Sequence, residues 1–90
     1  MGAGMRFTVE QVFLTDARGQ RVEEPPRYHL VEADTVEEAI SDFLNNSSAS
    51  LIGTIQKYPG FQAVATARAE EAVFTMHLLP GSDTFHLRVR

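Results

Sequence analysis

Apolar and polar side chains alternate along residues 73–90, with a break at the turn-forming residues 80–83. One set of alternating positions holds Phe74, Met76, Leu78, Phe85, Leu87 and Val89. The other set holds Thr75, His77, His86, Arg88 and Arg90. A period of two residues predicts β-strands with one buried and one polar face. The stretch therefore predicts a β-hairpin.

The same alternation predicts strands over residues 6–14, 27–33, 51–58 and 61–68, besides the two strands of the hairpin, 73–79 and 84–90. In the first strand the apolar residues change face near Gln11, which predicts a bulge or a strand covered on both sides. Short turns between consecutive runs are typical of hairpins. We therefore expect the first two strands to pair antiparallel and the last four to form a meander.

In one segment the apolar residues recur at the spacing of a helix instead of a strand. Its apolar positions are Val36, Ala39, Ile40, Phe43 and Leu44. This stripe predicts a helix of about three turns with one apolar face. Thr35 and Glu38 match a capping box, and Asp34 with Glu37 is the competing frame, shifted by one residue.

The turns set which residues face one another. A tight turn at residues 70–71 opposes Ala67 with Phe74, Ala65 with Met76 and Ala63 with Leu78. A turn around residues 81–82 opposes Leu78 with Phe85, Met76 with Leu87 and Phe74 with Val89. A three-residue turn at Pro59 and Gly60 adds Leu51, Gly53 and Ile55 to the same apolar face. The small residues of this face leave room for the helix to lie close.

These elements predict one α+β domain spanning residues 1–90, in the order ββαββββ. An antiparallel sheet of about six strands carries the helix on its apolar face. We expect residues 1–4 to be disordered. The last strand ends the chain and is a candidate edge, where Arg88 and Arg90 would discourage unwanted pairing.

The polar face of the predicted sheet collects the candidate ligand-binding residues. They are Arg68, His77, His86, Arg88 and Arg90. Guanidinium groups bind carboxylate or phosphate with paired hydrogen bonds, so the cluster predicts a site for a small anionic ligand. His77 opposes His86, but the neighbouring positions supply neither a third nor a fourth metal ligand, so we predict no metal site. His29 shares the parity of the inward positions and is expected to be a hydrogen-bonded structural histidine.

Composition narrows the classes of function. The net charge is −4, with nine acidic and four basic residues in residues 1–46. An acidic chain whose polar face lacks aromatic side chains is not expected to bind nucleic acid. The sequence has no cysteine, which excludes disulfides and thiolate metal sites but does not bear on the compartment. It has no apolar run of about 18 residues that could span a membrane and no signal-peptide pattern. We therefore expect a cytoplasmic protein that does not contact membranes.

No catalytic motif or phosphate-binding loop is visible, and no cofactor is predicted. Whether the chain is an enzyme stays open, with a non-enzymatic role favoured. The leading hypothesis is an interaction or scaffold protein that forms a homodimer through a strand edge or the polar sheet face. The alternative is a binding module for a small anionic ligand at the arginine and histidine cluster.

Overall fold

The computed structural model describes residues 4–81, which form five strands and one helix. The strands are β1 (Met5–Thr15), β2 (Arg27–Ala33), β3 (Ser50–Tyr58), β4 (Gln62–Ala69) and β5 (Ala72–Pro80); the helix is α1 (Val36–Asn46). Every pairing is antiparallel, and the strand order is β2-β1-β5-β4-β3. The predicted α+β class is confirmed, with five described strands where about six were expected. The predicted strand at residues 84–90 lies outside the described residues.

The neighbour of β5 differs from the prediction. Val9 of β1 pairs with Leu78, and the same ladder opposes Gln11 to Met76. Since β4 occupies the other edge of β5, both edges are taken. The predicted pairing of β5 with residues 84–90 is therefore wrong. Strand β1 lies between β2 and β5, second from one edge of the sheet, and β5 is the middle strand.

The register between β4 and β5 follows the prediction. Ala63 pairs with Leu78 and Ala67 with Phe74, and the pairing ends at Ala69 and Ala72 around a two-residue turn. The three alanines at positions 63, 65 and 67 are almost fully buried. Their small side chains allow the helix to approach the sheet closely.

Helix α1 begins in the first of the two predicted frames. The Thr35 hydroxyl accepts a hydrogen bond from the backbone N–H of Glu38 at 3.1 Å. The Glu38 carboxylate in turn accepts one from the backbone N–H of Asp34 at 2.9 Å, one residue before the cap. The helix buries Val36, Ala39, Ile40 and Phe43. The capping box and the apolar stripe together fix where the helix starts and which face meets the sheet.

Aromatic side chains join the helix to the centre of the sheet. The Phe43 ring on α1 meets the Phe74 ring of β5 edge to face, with centroids 6.2 Å apart. Phe74 also contacts Phe13 of β1 at 5.4 Å. Edge-to-face pairs of this kind add to the stabilisation from burial. The core therefore lies between α1 and the three central strands.

Strand β3 is more exposed than predicted, because the helix does not cover its apolar face. Leu51 pairs with Ala67, so it does share the apolar face. The register shifts between Ile52 and Gln56, where Gly53 adopts a φ of +76°. Every residue of β3 except Ile55 is exposed. The helix packs over β2 and β4, and β3 extends beyond the part of the sheet that it covers.

The bulge in β1 lies further along the strand than predicted. The ladder with β5 is regular through Gln11 and becomes irregular between Phe13 and Thr15, which leaves Leu14 as the extra residue. Gln11 itself stays on the helix side and is buried. The apolar residues of β1 change parity in the sequence for two reasons. Val12 lies on the sheet face away from the helix, and the bulge at Leu14 shifts the residues that follow it.

Candidate functional site

The structure describes two of the five predicted ligand-binding residues. Arg68 pairs with Val73, and His77 pairs with Val64, so both lie on the sheet face away from the helix. The two rows lie four positions apart along β5, or about 13 Å along a strand. His86, Arg88 and Arg90 lie outside the described residues. The proposed anion site thus stays a prediction.

Strand β1 gives His77 a neighbour that the sequence reasoning missed. Glu10 pairs directly with His77 across the sheet. Its carboxylate oxygen Oε1 lies 4.0 Å from Nδ1 of the imidazole. The side chain of Glu10 is only 12% exposed, against 36% for His77. A carboxylate at this point attracts positive charge, which counts against an anion next to His77.

Tyr28 of β2 extends this polar row by one more strand. Its hydroxyl donates a hydrogen bond to Oε2 of Glu10 at 3.1 Å. His77, Glu10 and Tyr28 therefore form a cross-strand row over β5, β1 and β2. The row depends on β1 lying beside β5, so a chain-order meander could not reveal it. Within residues 4–81, no group of three or more His, Cys, Asp or Glu side chains could hold a metal ion.

His29 is hydrogen-bonded on the helix side of the sheet, as predicted. The carbonyl oxygen Oε1 of Gln11 can only accept, so Nε2 of His29 donates to it across 2.9 Å. The imidazole also contacts the Phe43 ring, with centroids 4.9 Å apart. Burial of the imidazole, with a smaller contribution from the positive charge of Arg27, lowers the pKa of His29. This pair satisfies two polar groups at the margin of the core and has a structural role.

The outer edge of β3 carries several exposed apolar side chains. Its other edge pairs with β4, and β3 is the terminal strand of the described sheet. Leu51 is 38% exposed, Ile52 39% and Tyr58 49%. The turn that follows adds Phe61, exposed and at a φ of +59°. The single charged side chain of the strand is Lys57, and it forms an ion pair with Glu37 of the helix.

Strand β2 forms the opposite edge of the described sheet, and ion pairs and prolines flank it. It exposes Leu30, but Glu32 near its end forms an ion pair with Arg6 at 3.2 Å. Arg27 at its start lies 3.4 Å from Glu24. The strand is preceded by two prolines at residues 25–26, which cannot donate to a ladder. Charges and prolines are the usual means of blocking an edge strand, so the two edges are not equivalent.

A cleft of about 850 Å³ lies at the loop between β1 and β2. Val12 and Leu14 contribute to one wall, and Val22, Glu23 and Glu24 of the loop contribute to the other. No cluster of catalytic or metal-binding side chains converges in it.

No described helix is long and apolar enough to cross a membrane.

Comparison with known proteins found no match: no family model fits the chain, and neither curated proteins nor solved structures gave a significant similarity.

Proposed function

We propose that this protein is a non-enzymatic interaction protein that self-associates through the outer edge of β3. The observation that carries the proposal is an edge of β3 with which no strand of residues 4–81 pairs, together with exposed Leu51, Ile52 and Tyr58. An edge strand presents a row of backbone N–H and C=O groups that a further strand can pair with. Apolar side chains beside that row add burial to the hydrogen bonds.

The distribution of charge favours β3 over β2 as the contact. Lys57 is the one ionic side chain of β3, and Glu37 neutralises it. In contrast, β2 is flanked by the Arg6–Glu32 and Arg27–Glu24 pairs. With a net charge of −4 per chain, two copies repel each other least where the contact surface is neutral. The β3 edge meets that condition.

Replacing Ile52 with lysine tests the proposal. Ile52 is 39% exposed, so Ile52→Lys should leave the fold intact while placing a charge at the outer edge of β3. We expect light scattering over a concentration series to give a dimer for the wild type and a shift to monomer for the variant. The matched control is Leu30→Lys on β2, also exposed, which should remain dimeric. A wild-type chain that is strictly monomeric at high concentration would contradict the proposal.

A further inference from the structure

We draw no further inference here: the strongest candidate, the cleft at the loop between β1 and β2, is lined by apolar side chains and by the opposite charges of Arg21 and Glu23, and nothing in the described part of the chain shows which class of ligand would fill it.

Discussion

His29 illustrates how a single polar residue is tied into the apolar core. Its imidazole lies between the Gln11 amide and the Phe43 ring. Burial favours the neutral ring, and the charge of Arg27 acts in the same direction, so the pKa of His29 is lowered. The proton is bound more tightly by the unfolded chain than by the folded one. Folding stability must therefore depend on pH through this residue.

We expect acid to destabilise the fold partly through His29. Its contribution is fully present above the ordinary histidine pKa of 6.5 and is lost as pH falls through the lower folded-state value. In His29→Gln the amide can still donate to Gln11 but cannot titrate. Denaturant unfolding measured from about pH 8 to about pH 5 should show a weaker pH dependence for this variant than for the wild type. Equal slopes for both proteins would contradict this role of His29.

The residue scale also shows what the sequence could not reveal about the candidate site. The positions of Arg68 and His77 on one face follow from alternation and from the turn at residues 70–71. The presence of Glu10 beside His77 does not, because it depends on which distant strand lies next to β5. Local pattern determines the face of a side chain, whereas its cross-strand neighbour depends on topology.

At the scale of elements, the start of α1 depends on a short local signal. Thr35 caps the helix, and its hydroxyl satisfies the N–H of Glu38. We expect Thr35→Ala to lower the free energy of unfolding by about 1 kcal/mol, the usual value of such a cap. The control is Asp34→Ala, the cap residue of the competing frame, which should cost less. Denaturant titrations of both variants would decide, and a larger loss for Asp34→Ala would contradict the assigned frame.

Strands and helix were predictable because their signals are local. The observed bounds of α1 and of β2 agree with the apolar spacing that predicted them. The partner of β5 was not predictable from local signals. Strand β1 and residues 84–90 both carry alternating apolar residues, so the sequence pattern fits either of them beside β5. The exposure of β3 was also missed, since parity placed Leu51 on the apolar face without showing how far the helix reaches.

At the scale of the whole molecule, one layer of contacts holds the helix to the sheet. Phe74 lies at its centre, 1% exposed, and touches both Phe13 and Phe43. Because the protein has only 90 residues, its total stability is small compared with the burial of one such ring. The loss of that ring would therefore affect the whole fold.

We expect Phe74→Ala to lower the free energy of unfolding by about 3–5 kcal/mol, through lost burial and the cavity left behind. A thermal melt compares this variant with Phe61→Ala, in which the removed ring is 57% exposed. The Phe61 variant should melt close to the wild type. A Phe74 variant with an unchanged melting temperature would contradict the two-layer arrangement.

The place of β1 between β2 and β5 has a consequence for synthesis. Strand β1 leaves the ribosome before the other described strands and pairs with the last of them, with Phe7 opposite Pro80. β1 and β2 can form a hairpin early, but one edge of β1 stays bare until β5 has been translated. Contacts between such distant segments form slowly, because a long stretch of chain must close first. The nascent chain is thus vulnerable to aggregation along β1, a strand that is paired on both edges once folding is complete.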